Sequence, residues 1–125
     1  MTYLTRSIRL LEGNGYLVDI VERRIGRRCT KDLFGFIDLI AISPEGLMVG
    51  IQVTSGNCFR EHRDKLSEDK ELVHNMTRWM ATGAELHAHI WRNRKAGRVC
   101  ETYEIDEDMD WLKTGEESVV GQSIR

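Results

Sequence analysis

The seven residues Phe36 to Ile42 (FIDLIAI) constrain this chain more than any other stretch. Six of them are apolar, which predicts a central strand covered on both faces. The exception is Asp38, a carboxylate whose burial costs several kcal/mol unless a partner satisfies it. Ser43-Pro44-Glu45-Gly46 follows as a turn with proline where a turn favours it. Leu47 to Thr54 (LMVGIQVT) then returns, so the two strands should form an antiparallel hairpin. On the returning strand Gln52 and Thr54 project from one face, and Ile51 and Val53 from the other.

The other elements arrange themselves around this hairpin. Leu4, Ile8 and Leu11 are spaced for a short amphipathic helix, ended by Gly13-Asn14-Gly15. Tyr16 to Val21 (YLVDIV) reads as a first strand ending near Glu22. Residues 23–31 read as a loop or wide hairpin connection. Phe59, Leu66, Val73 and Met80 recur every seven residues, with Leu72, Met76 and Trp79 on the same side. That pattern predicts one long helix over 59–80, stopped by Gly83. Glu85 to Arg92 and Val99 to Ile105 read as a second hairpin turning at Lys95-Ala96-Gly97. The expected order is αβββαββ, an α/β (α+β) fold with a mixed sheet and flanking helices over residues 1–105. Residues 106–125 read as an acidic tail, with Trp111 and Leu112 as its docking point.

With 125 residues, 41% hydrophobic and 30% charged, the chain has the size and composition of one globular domain. It carries no apolar run of bilayer length and no secretory signal pattern, which predicts a cytoplasmic protein without membrane contact. Cys29, Cys58 and Cys100 form no CxxC pair and are expected as separate buried or semi-buried thiols. The net charge of −2 hides an asymmetry. Residues 101–125 hold eight acidic and two basic side chains, and the first hundred residues hold 16 basic and 12 acidic. Arg23, Arg24, Arg27, Arg28 and Lys31 crowd one stretch and Arg92, Arg94, Lys95 and Arg98 another, either solvated faces or clusters suited to phosphates.

Asp38 on one strand and Gln52 and Thr54 on its neighbour can meet at one end of the sheet, where Glu22 could join them. Carboxylates and an amide carbonyl are hard oxygen ligands suited to Mg²⁺ or Mn²⁺. The alternative is a buried aspartate satisfied by Thr54, Ser55 and backbone amides.

The strings VERR, DLFGFIDLIAI, GIQVTSGN and GAELHAHIWR, spread over residues 4–105, resemble the PD-(D/E)XK nuclease superfamily. More closely, they resemble small phage and bacterial proteins of the VRR-NUC and Holliday-junction-resolvase type. The resemblance implies a restriction-endonuclease-like domain and a metal-dependent DNA endonuclease, selective for branched DNA in some relatives and often dimeric. It places the motif's aspartate at Asp38 and its (D/E)XK half at Gln52-Val53-Thr54. Asp38, Gln52 and Glu22 would hold Mg²⁺ or Mn²⁺. Thr54 occupies the position of the family's lysine, and Lys65 on the following helix is the candidate replacement. Arg23, Arg24, Arg27, Arg28, Lys31, Asn57, Arg60 and Arg63 would contact the nucleic acid. The threonine also opens a second reading: a nuclease fold without catalysis, binding DNA or, through the acidic tail, a protein partner, as a phage-encoded inhibitor or regulator would.

The remaining candidates have simpler structural explanations. His87 and His89 share a strand face and could bind zinc with His62 or His74, or simply pack across strands. Asn57 fits a helix N-cap or turn. Trp79 and Trp91 read as core. Cys58 lacks the histidine arrangement of a nucleophile.

Overall fold

The computed structural model describes residues 1–27 and 30–118, with backbone only at Thr30. Arg28, Cys29 and residues 119–125, the end of the expected acidic tail, lie outside the described residues. Three α-helices are present among the described residues: α1 (Tyr3–Gly13), α2 (Phe59–Glu68) and α3 (Lys70–Ala81), with a 3₁₀ turn at Gly56–Cys58. The strands are β1 (Leu17–Ile20), β2 (Arg23–Arg24), β3 (Thr30–Lys31), β4 (Leu39–Ile42), β5 (Met48–Ser55), β6 (Glu85–Arg94), β7 (Gly97–Ile105) and β8 (Trp111–Ser118). Six of them form one mixed sheet in the order β1-β4-β5-β6-β7-β8, and β2 and β3 form a separate ribbon. The mixed α/β architecture is as expected. Only β5 and β6 run parallel, because the α2–α3 crossover lies between them.

The β4–β5 hairpin forms as expected, with Leu39 opposite Ile51 and Ile42 opposite Met48. Its turn closes with Gly46 N donating to Ser43 O at 2.8 Å, and Gly46 takes a φ of +90°. The expected strand over Phe36 to Ile42 starts later, at Leu39. Phe34 and Gly35 have φ of +56° and +87°, left-handed angles that turn the chain instead of extending it. The turn is pinned by reciprocal Leu33–Ile37 backbone bonds of 2.8 and 3.0 Å. Both-face coverage also fails at the far end, where Ile42 is exposed.

The expected long helix is broken in two at Asp69. That residue is extended, and its carboxylate accepts from Glu71 N and Leu72 N, an N-cap that starts α3 afresh. The heptad stripe still faces one way. Leu66, Leu72 and Met76 are buried with Phe36, Ile37, Leu86, Ala88, Ile90 and Ile105, and Phe59, Val73, Trp79 and Met80 pack at the margin. The opposite sheet face packs on α1, through Leu11, Leu39, Ala41, Val49 and Ile51. There Ser7 Oγ accepts from Trp91 Nε1 at 2.8 Å and meets His89 Nδ1 at 2.9 Å, all three side chains buried.

Trp111 to Ser118, expected within an acidic tail, is an eighth strand paired with β7. Apolar and charged contacts override the acidic composition. Trp111 packs edge-on against Phe59, 5.6 Å between ring centroids, and lies 6.1 Å from Tyr103. Leu112, the other expected docking residue, is exposed. Buried Glu101 accepts from Arg92 Nε (2.6 Å), Arg94 Nη2 (3.0 Å) and Lys113 Nζ (3.2 Å), joining β6, β7 and β8. No helix among the described residues is long and apolar enough to cross a membrane.

Candidate metal centre

Asp38 occupies the last position before β4, where its backbone serves both neighbouring strands. Its N–H donates to Ile51 O at 2.9 Å, and its carbonyl accepts from Val21 N (3.0 Å) and Glu22 N (3.2 Å). The main chain thus fixes Glu22 beside Asp38. The tight 33–37 turn folds Asp32 back onto the same spot. Gly35 is required here twice over: its φ is positive, and a Cβ would sit 2.7 Å from Leu72 Cδ2.

One carboxylate oxygen from each of Glu22, Asp32 and Asp38 falls within 4.8 Å of the others. Asp38 is buried, and Glu22 and Asp32 are half-buried. Asp38 Oδ2 accepts from Val53 N at 2.9 Å and Gln52 Nε2 at 3.3 Å, and the same amide nitrogen lies 3.5 Å from Asp32 Oδ2. Burial pushes the Asp38 carboxyl up to about 8; the hydrogen bond with Asp32 and the charges of Asp32 and Glu22 push the same way, against the Val53 amide. Without a cation, the site keeps a proton that a metal would displace.

Gln52 is itself buried, and its Oε1 accepts no hydrogen bond among the described residues. Such an orphaned acceptor is uncommon. Its Nε2 faces Asp38 and Asp32, so a flip of the amide would turn the unpaired oxygen to these carboxylates and complete a set that an oxygen-seeking cation fits. The donor set is all oxygen, the chemistry of Mg²⁺ or Mn²⁺ rather than of a thiolate metal.

The structure places Glu22 and Gln52 each beside Asp38 and adds Asp32, which the sequence reading left unassigned. The visible signal was two aspartates flanking Leu33-Phe34-Gly35-Phe36-Ile37, a spacing a glycine turn can close. The alternative of a satisfied buried aspartate holds only for the backbone amide of Val53; neither Thr54 nor Ser55 hydrogen-bonds Asp38. Thr54 is half-buried on the Gln52 face of β5. Lys65 is exposed on α2 and makes no ion pair with the three acids. It lies within electrostatic range of His62, as does Asp32. His62 Nε2 is buried without a partner among the described residues, and burial, then Lys65, lowers its pKa, with Asp32 opposing.

The basic residues divide. Arg23, Arg24 and Lys31 are exposed on the β2–β3 ribbon, whose outer ends continue directly into Glu22 and Asp32. Arg24 spends its guanidinium on the ribbon's own turn, donating to Gly26 O (3.2 Å) and Arg27 O (2.8 Å). Arg27 and Arg60 are exposed, and Arg63 stacks over Phe59 at 5.3 Å. Asn57 is exposed in the 3₁₀ turn and caps nothing; Cys58 holds the α2 N-cap position without a side-chain bond and is exposed, not buried. The zinc set of His87 and His89 with His62 or His74 does not assemble. His89 is committed to Ser7 on the α1 face, whereas His62 and His74 ride on the helices of the other face.

No family model matches the chain, and no curated protein or solved structure matches it significantly.

Proposed function

We propose that the chain is a metal-dependent nuclease of PD-(D/E)XK type that hydrolyses phosphodiester bonds in DNA. The observation that carries this reading is the convergence of Glu22, Asp32 and Asp38 on one another, beside the buried Gln52 whose oxygen is unpaired among the described residues. In this reading the domain is restriction-endonuclease-like, with the β4–β5 hairpin presenting both halves of the motif. Glu22, Asp32, Asp38 and the Gln52 carbonyl would hold Mg²⁺ or Mn²⁺. A metal held by these residues would supply Lewis-acid chemistry, polarising a phosphoryl oxygen and lowering the pKa of a bound water. The protein's own contribution is to hold these oxygens on a rigid hairpin and a pinned turn, and to line the approach with Arg23 and Lys31 for the phosphate backbone. Thr54 can hydrogen-bond a water but supplies no charge, so the positive charge that would steady the developing negative charge would come from Lys65 on α2.

Cleavage of a panel of branched, nicked, linear and single-stranded DNA, with Mg²⁺, Mn²⁺ or EDTA, tests the reading beside Asp38→Ala. Cutting that needs the metal and is lost in the folded variant supports it. Equal cutting by the variant overturns it.

The second reading, a DNA- or protein-binding module without catalysis, is favoured by the uncharged Thr54. It predicts metal binding and no cleavage. Steeply salt-dependent DNA affinity would mark DNA as its partner, and flat dependence a protein.

A further inference from the structure

We propose a second divalent-cation site of zinc class, on the opposite sheet face from Asp38, held by Glu85, His87 and Glu104. His87 stands directly across the β6–β7 ladder from Glu104, and Glu85 lies two residues earlier on the same face of β6. One ligand atom from each falls within 4.8 Å of the others, and all three residues are half-buried. His87 Nε2 is already 2.9 Å from Glu85 Oε1.

The faces are set by alternation along the strands. Ala88 points into the α2–α3 core, so His87 points to the α1 side. Gly50 lies against Ile37 and Trp79, so Gln52 shares the α2–α3 side with Asp38. The sheet therefore separates the two acidic groups, and occupancy of one does not require the other.

Two features point to a cation rather than a chance grouping. First, no lysine or arginine among the described residues pairs with Glu85 or Glu104. Glu104 accepts no side-chain hydrogen bond among them either, although the nearby Glu101 gathers three cations. Among the described residues the Glu85 carboxylate has only the His87 ring as a partner and the half-buried Glu104 carboxylate has none, so a cation would supply charge that this group lacks. Second, the set mixes imidazole nitrogen with carboxylate oxygen, which suits zinc and its first-row neighbours and not Mg²⁺. Bonds of roughly 2.0–2.1 Å put tetrahedral ligands about 3.4 Å apart, so rotamer adjustments of an ångström or so would close the set. His87 also lines a groove of ≈ 200 Å³ between α1 and β6–β8, with Asn14, Thr102 and Glu117, which gives an ion a way in. Three protein ligands would leave a coordination position for water.

The test is Zn²⁺ binding by calorimetry, with Co²⁺ absorption as an independent view of the coordination shell. It compares the full chain with His87→Ala, Glu104→Gln and Asp38→Asn. The expected result is at least tenfold weaker Zn²⁺ binding in His87→Ala and Glu104→Gln, and little change in Asp38→Asn. Unchanged affinity in both His87→Ala and Glu104→Gln overturns the site, as does binding lost only in Asp38→Asn. Should either of these two variants fail to fold, ¹⁵N spectra of the unaltered chain decide. Zn²⁺ should shift the His87 ring nitrogens and leave His89 in place; no shift at His87 overturns the proposal.

Discussion

The backbone N–H of Val53 donates to Asp38 Oδ2 at 2.9 Å, joining the two strands of the hairpin through a side chain. Gln52, one residue earlier, offers its amide to the same oxygen. These donors steady one end of a carboxyl that burial and two neighbouring acids otherwise keep protonated. Asp38 is thus held in place whether or not a cation is bound, while its charge waits for one.

That carboxyl sets the alkaline side of the stability profile. Its native pKa of about 8 lies above the ordinary 3.8, so between these values the native state binds more protons than the unfolded state. Stability from this group is full below about pH 4 and lost as pH rises through 8, by at most about 1.4 kcal/mol per pH unit. His89 acts in the opposite sense: complete burial, then the nearby His87, lowers its pKa from 6.5 to about 3, so stability is lost as pH falls through that window. The two slopes offset each other between roughly pH 4 and 6.5. Urea melts of metal-free protein should show a decline from pH 6.5 to 8, and Asp38→Asn should abolish it.

Metal binding should release close to one proton below pH 8, because a cation must displace the proton held by Asp38. Calorimetry with Mg²⁺ or Mn²⁺ in buffers of different ionisation enthalpy measures this directly. Affinity should rise with pH up to about 8, and proton release should vanish in Asp38→Asn.

Gly35→Ala should damage both fold and site. An alanine at φ +87° costs about 1–2 kcal/mol, and its Cβ meets Leu72 at 2.7 Å. Thermal melts should show a fall of several degrees, and metal affinity should drop, since this turn delivers Asp32. A Gly35→Ala protein with unchanged metal affinity would contradict the positioning role.

Ser7→Ala should destabilise without touching the metal centre. It strands the indole N–H of Trp91 and the Nδ1 of His89, at roughly 1–3 kcal/mol for each buried group left unpaired. Denaturant midpoints should fall while Mn²⁺ affinity stays at the wild-type value.

The hairpin, the sheet-forming segments and the core face of the helices were legible because alternation and heptad spacing report burial directly. Gly15, Gly46 and Gly83 marked element ends because each takes the positive φ that stops a helix or closes a turn. What periodicity could not show were breaks made by single side chains. Asp69 capping α3 lies within an unbroken heptad stripe, and the positive φ of Phe34 interrupts an apolar run. Asp32 was missed because a residue outside any strand is placed by turn geometry rather than by pattern. β8 was hidden by its acidic composition: Glu116 pairs with Lys113 of the same strand and with Arg94 of β6, and Glu117 accepts from Asn14 after α1.

The most direct test of the metal centre is Mn²⁺ titration followed by electron paramagnetic resonance, using the unaltered chain, Asp32→Asn, Asp38→Asn and His87→Ala. The account predicts one Mg²⁺-displaceable Mn²⁺ per chain, weakened at least tenfold in both aspartate variants and retained in His87→Ala. Wild-type Mn²⁺ affinity in folded Asp32→Asn and Asp38→Asn would contradict it.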